Sequence, residues 1–144
     1  MLKNKLVKIV LLSSLLFLRS SFVLAPTIRY KFTGYWVTAR ITYAGLKSKI
    51  NHKGQKLRVG WCAVPVSVLP TNGTCWITLP DNRGRVLVKD HIPTTSVNKV
   101  KNYWARRNKY YDIQIDVYAK TSKKQLRKLD MGIREVYINI QEKK

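Results

Sequence analysis

Two of the seven acidic residues in this 144-residue chain stand where a carboxylate can be held for chemistry. Asp90 closes the run Arg85-Val86-Leu87-Val88-Lys89. Asp116 lies where Ile113, Ile115 and Val117 alternate with Gln114, Asp116 and Tyr118. Alternation of period two marks a strand with one buried face, so each aspartate rides on a strand that can present it to a groove. Paired carboxylates in a cleft suit glycosidic bond cleavage. A single carboxyl can also serve first as acid and then as base, provided burial or a neighbouring carboxylate raises its pKa toward the working pH. Asp116 is the preferred acid, with Asp90 as its pKa partner or a substrate holder. The competing role is structural, because an aspartate at a strand end equally suits an Asx turn or a lysine partner. Asp112 is assigned to turn chemistry.

A second group of residues could bind rather than react. Between Thr94 and Tyr111, Lys99, Lys101, Arg106, Arg107 and Lys109 are interleaved with Tyr103, Trp104, Tyr110 and Tyr111. Such a basic aromatic patch suits a glycan, an anionic polymer or a single-stranded nucleic acid. Tyr103, Trp104, Arg106 and Arg107, with Tyr118 beside Asp116, are the candidate substrate-binding residues. Trp36, Trp61 and Trp76 fall in predicted strands, where core packing is the expected use of an indole. Cys62 and Cys75 are the only cysteines. An even count in an exported chain predicts a disulfide, which over so short a loop would add on the order of 3 kcal/mol; free thiols are the alternative. With His52 and His91 the only histidines, no metal site and no cofactor is expected, and an oxidised thiol rules out a Cys-His nucleophile.

The compartment is read from the N-terminus. Lys3, Lys5 and Lys8 precede the apolar run Ile9 to Leu18, and Val23-Leu24-Ala25 fits a peptidase cleavage site, so residues 1–25 read as a secretory signal. Arg19 interrupts the run and Pro26 hinders cleavage after Ala25, so an uncleaved anchor stands as the alternative and is the one expected route to a membrane. Four of the 28 basic residues and none of the acids lie in 1–25, which leaves 24 against 7 and a charge of +17. That charge favours polyanionic surroundings. A composition rich in Lys, Ile, Asn and Tyr is equally the product of AT-rich codon usage, with the lysines merely solvated.

Residues 26–144 are one domain by length, and mostly β. Tyr35 to Tyr43 is crowded with β-branched and aromatic residues and predicts a strand; residues 46 to 58 read as a basic polar loop. Trp61 to Leu69 returns to apolar character, with Pro65 marking an edge or bend. Asn72-Gly73 predicts a tight turn, and Pro80 to Gly84 joins two strands as a hairpin. Residues 94–111 form an exposed excursion with a short helix. Thr121 to Leu129 predicts another helix, N-capped by Thr121 or Ser122 and closed by Gly132. Arg134 to Ile140 is the last strand.

This order of elements resembles the three-aspartate ("3D") domain and the related RlpA-like domains, which include lytic transglycosylases of the MltA type. Four stretches carry the likeness: Trp61 to Pro70, Gly84 to Asp90, Ile115 to Tyr118, and Lys128 to Ile138. The resemblance spans about residues 35 to 140 and implies a six-stranded double-psi β-barrel with one or two short helices. It also implies cleavage of peptidoglycan without water, by one carboxyl that protonates the leaving oxygen and then deprotonates the sugar's own hydroxyl. Pro65 stands where the family's first aspartate aligns, and His91 to Thr95 replaces its usual glycine-rich turn, so the triad is reduced to Asp90 and Asp116.

The expectation is an exported monomer, in the periplasm, cell envelope or medium, that acts on peptidoglycan. The alternatives are a barrel that only binds peptidoglycan or another anionic wall polymer, and a basic secreted effector acting on another cell. Nucleic acid is not an expected partner, since no base-reading motif is present and export removes the opportunity.

Overall fold

The first ordered run is longer than its sequence predicts. In the computed structural model, which describes residues 28–46, 49–68 and 73–144, Tyr30–Gly45 is one strand, β1. It is extended beyond the Tyr35 to Tyr43 stretch because its first half pairs antiparallel with the end of the chain, Tyr30 opposite Lys143. The remaining strands are β2 (Trp61–Pro65), β3 (Gly73–Thr78), β4 (Arg85–Ile92), β5 (Ile113–Ala119) and β6 (Gly132–Lys143). Pro65 ends β2, and a 3-10 turn follows over Val66–Val68. The expected signal, residues 1–25, and the Asn72 half of the tight turn lie outside the described residues.

The six strands close a barrel in the order β1-β5-β2-β4-β3-β6. The β1–β5 and β2–β4 pairs are parallel; all others are antiparallel. Advancing each strand by three (β1 to β4, β2 to β5, β3 to β6) maps this order onto itself and exchanges the two parallel pairs. The barrel is therefore two interlocked halves, the double-psi arrangement. Each half has a long connection after its first strand: residues 46–60 after β1, and 93–112 after β4. The second holds helix α1 (Thr94–Ala105). Between β5 and β6 lies helix α2 (Lys123–Leu129), whose first free N–H groups are met by Ser122 Oγ accepting from Gln125 N at 3.3 Å. Its C-cap is Asp130 rather than the expected Gly132. Gly132 instead opens β6 at φ +69°, a left-handed conformation that other side chains resist.

The barrel interior is filled by β-branched and small residues, among them Ala39, Ile41, Val64, Ile77, Ile115, Val136 and Ile138, all fully buried. Each such Ile or Val contributes roughly 1.5–3 kcal/mol on leaving water. Trp36 and Trp76 take no part in this interior, which corrects the core-packing expectation for them, whereas half-buried Trp61 packs against a second cluster of Leu57, Ala63, Ile92 and Tyr118. Trp36 is 69 % exposed and leans on Tyr137, while Trp61 and Trp76 lie on the outer face beneath Arg58 and Arg85 respectively.

The expected disulfide is absent. Cys62 and Cys75 are both buried and free. Cys62 pairs with Val88 across β2–β4, and Cys75 comes one step beyond the Trp76–Leu87 pair on the other side of β4. An intervening strand puts their backbones roughly 9–10 Å apart, beyond the ~7 Å limit for a bridge. Burial pushes both thiols up, Cys75 to about 11 and Cys62 well above its ordinary value, so neither is a ready nucleophile.

Candidate functional site

Register, rather than sequence proximity, brings the two candidate aspartates together. Across four neighbouring strands the pairs Thr42–Asp116, Asp116–Ala63 and Ala63–Asp90 form one row. Paired residues project to the same side of a sheet. Their chain neighbours Ile41, Ile115 and Cys62 point into the core, so the row lies on the outer face. The internal symmetry maps Ala63–Asp90 onto Asp116–Thr42, so the row straddles the line between the two halves.

Asp90 reaches this face through a β-bulge. Cys62 pairs with Val88 and Ala63 with Asp90, which leaves Lys89 as the extra residue. A bulge of this kind re-aims the side chains beyond it; without it, Asp90 would follow Val86 and Val88 inward. The carboxylate is then fixed by four contacts. Oδ1 accepts from His91 N at 2.9 Å and His52 N at 3.0 Å and meets His52 Nδ1 at 3.1 Å, while Oδ2 accepts from Tyr118 Oη at 2.9 Å. Burial acts to raise the Asp90 pKa, but these donors outweigh it and hold the carboxyl below its ordinary value. Reciprocally, burial and then the bond to Asp90 push the Tyr118 phenol well up.

His52 arrives from the connection after β1, which is no plain solvated loop. Asn51 is buried and staples it down: Nδ2 donates to Lys89 O at 2.8 Å and Gln55 Oε1 at 3.0 Å, and Oδ1 accepts from Gln55 N at 2.8 Å and Lys53 N at 3.0 Å. Leu57, Ala63, Ile92 and Tyr118 form a small apolar cluster under this connection.

Asp116 is held differently. Thr42 Oγ1 donates a short hydrogen bond to its Oδ1, and Gln114 Nε2 reaches the same oxygen at 3.3 Å. Among the described residues no donor reaches Oδ2. The two aspartates stand two strands apart, roughly 9–10 Å between backbones, and do not hydrogen-bond to each other. Both charges act on Tyr118, which lies in reach of each.

The basic aromatic patch adjoins this row. Arg40 pairs with Gln114, one step along the same outer face from Thr42–Asp116. Asp130 grips its guanidinium with both oxygens, at 2.6 and 2.7 Å. The guanidinium lies 5.2 Å from the ring centre of Trp104, with Lys109 at 5.3 Å from the same ring. Arg40, Trp104, Lys109, Tyr110, Gly132 and Ile133 line a concavity of about 400 Å³. Three buried polar atoms nearby, Arg40 Nε, Tyr111 Oη and Gln114 Oε1, have no partner among the described residues. Of the remaining predicted binders, Tyr103 and Arg107 stack on each other at 3.7 Å on the surface of α1, and Arg106 caps that helix; none of the three lines the concavity. Asp112, assigned to turn chemistry, instead reaches across to β1: its Oδ2 accepts from Thr38 N at 3.0 Å.

A larger concavity, about 670 Å³, is lined by Tyr30, Gly73, Thr74, Gln141, Lys143 and Lys144. Among the described residues its lining carries no carboxylate or imidazole side chain, so size does not mark the chemistry here. The sequence reading passed over Thr42, Arg40, Asn51, His52 and Gln114. Arg40 alone carried a signal, as a charged residue flanked by Ala39 and Ile41 in a strand.

No family model matches the chain, and no curated protein and no solved structure matches it.

Proposed function

We propose that this is an exported cell-wall protein that acts on peptidoglycan glycan strands in the manner of a lytic transglycosylase, with Asp116 as the proton-transfer group. The observation that supports the reading is the row Thr42–Asp116–Ala63–Asp90, which sets two carboxylates in unlike environments on one outer face. Unlike environments are how two acids take two roles.

Asp116, anchored through Oδ1, presents Oδ2 to the glycan. The reaction requires the protonated form of Asp116: that proton would pass to the glycosidic oxygen as the C1–O bond breaks, and the resulting carboxylate would then take the proton of the sugar's own 6-hydroxyl as that oxygen closes on C1. Asp90, held ionised by its donors, supplies fixed negative charge toward the positive character that develops at C1. Trp104 offers a stacking face, and Arg40 and Lys109 attract an anionic strand. The unpartnered Arg40 Nε, Tyr111 Oη and Gln114 Oε1 are groups a polar ligand or water would satisfy.

One observation favours a second reading, a barrel that binds wall glycan without cleaving it: the concavity lies over Arg40 and Trp104 rather than over either carboxylate. Gel-embedded peptidoglycan separates the two. Clearing by the wild-type chain and none by Asp116→Asn supports catalysis. Sedimentation of both proteins with intact wall and clearing by neither leaves the binding reading.

A further inference from the structure

The chain has two histidines, 39 positions apart, and the fold brings both against one carboxylate. The rings of His52 and His91 lie 4.4 Å apart centre to centre, and Asp90 Oδ1 lies 3.1 Å from His52 Nδ1. One donor atom from each of the three residues lies within 4.8 Å of the others. Ligands about 2.0–2.2 Å from a tetrahedral metal stand roughly 3.4 Å apart, so rotation of the imidazoles by about 1 Å closes the set. We propose that His52, Asp90 and His91 form a binding site for a first-row divalent metal, Zn²⁺ or Cu²⁺.

The site is built rather than incidental. His52 is placed by the Asn51 staple, which ties its loop to Lys89 O beside Asp90. His91 and Asp90 are placed by the bulge at Lys89. Tyr118 Oη holds Asp90 Oδ2 at 2.9 Å and so turns Oδ1 toward the imidazoles, the orienting role that outer hydrogen bonds play at metal centres. Two imidazoles and one carboxylate suit zinc and copper better than magnesium or calcium, which prefer all-oxygen sets. Three protein ligands leave a fourth position open, the pattern of a metal that meets a substrate rather than one that only braces a fold. His52 keeps 29 % of its side chain exposed and Asp90 14 %, so the site has a path to solvent. The high positive charge of the chain opposes a cation, so affinity tightens as salt screens it, opposite to the salt response of anionic polymer binding.

The inference does not rest on the wall-glycan reading, because metal binding is measured without wall or activity. The test is equilibrium dialysis of the untagged, chelator-stripped full chain against Zn²⁺ and, separately, Cu²⁺. The expected result is about one metal per chain, weakened at least tenfold in His52→Ala and in His91→Ala and measurably in Tyr118→Phe. Cu²⁺ electron paramagnetic resonance should show two coupled nitrogens, falling to one in His52→Ala. That variant changes an exposed loop side chain, so its melting without metal serves as the check on folding. Failure of a cooperatively folded wild type to bind either metal overturns the proposal, as does unchanged binding in His52→Ala.

Discussion

Removing the Asp130 carboxylate tests how the concavity is held open. Asp130→Ala leaves the Arg40 guanidinium, 10 % exposed, without its bidentate partner, and Gly132 N loses its acceptor at 2.8 Å. Breaking a fully buried pair this way costs about 3–5 kcal/mol, and an exposed pair about 0–1 kcal/mol. Asp130 is 34 % exposed, so the expected cost is about 2 kcal/mol. In urea that lowers the unfolding midpoint by about 1 M. Arg40→Met should cost less, because the remaining Asp130 carboxylate reaches water while no buried charge is left behind. The pH dependence has a definite sign. Burial acts to raise the Asp130 carboxyl, but Arg40 and the Gly132 N–H outweigh it and hold it below its ordinary 3.8. Its contribution is therefore fully present above pH 3.8 and is lost as pH falls through the folded value. The gap between wild type and Asp130→Ala should stay constant from neutrality to about pH 4 and close below it. Equal costs for the two variants, or a midpoint shift under about 0.3 M, would refute the reasoning.

Other consequences are open to simple measurement. Dithiothreitol should leave the melting temperature unchanged, and a thiol reagent should modify neither cysteine in the native protein but both in denaturant; a drop in melting temperature on reduction would reinstate a disulfide. Gly73→Ala drives a Cβ into the backbone carbonyl of Gln141 on the facing strand. It should cost at least about 1 kcal/mol in chemical denaturation, and a neutral result would mean that β3 and β6 do not pack as described. Retention on intact wall should fall steeply between low and physiological salt; salt-independent retention would set the charge aside as solvated lysine.

Strand positions were legible in the sequence wherever alternation was strong: Ile113 to Val117 and the pair joined at Pro80 to Gly84 needed only period two and turn chemistry. The six-stranded barrel was an expectation from resemblance, and its strand order was not legible at all, since no local pattern tells that β2 lies between β4 and β5. Trp76 was misplaced because its neighbours Cys75 and Ile77 point into the core and alternation turns it outward, and the cysteines because β4 lies between β2 and β3 and so separates the two thiols. His52 went unseen because a polar basic stretch gives no sign of which residue is buried; Asn51, from the same run, closes the loop onto β4. The meeting of Asp90 with His52 depends on a single extra residue, Lys89, which alternation alone does not reveal.

The most direct measurement of the central claim is mass spectrometry of the soluble products released from purified peptidoglycan by the full chain, run beside Asp116→Asn. The account predicts muropeptides ending in a 1,6-anhydro sugar from the wild type and none from a variant that still sediments with wall. A folded, wall-bound wild type that releases no soluble fragment would contradict it.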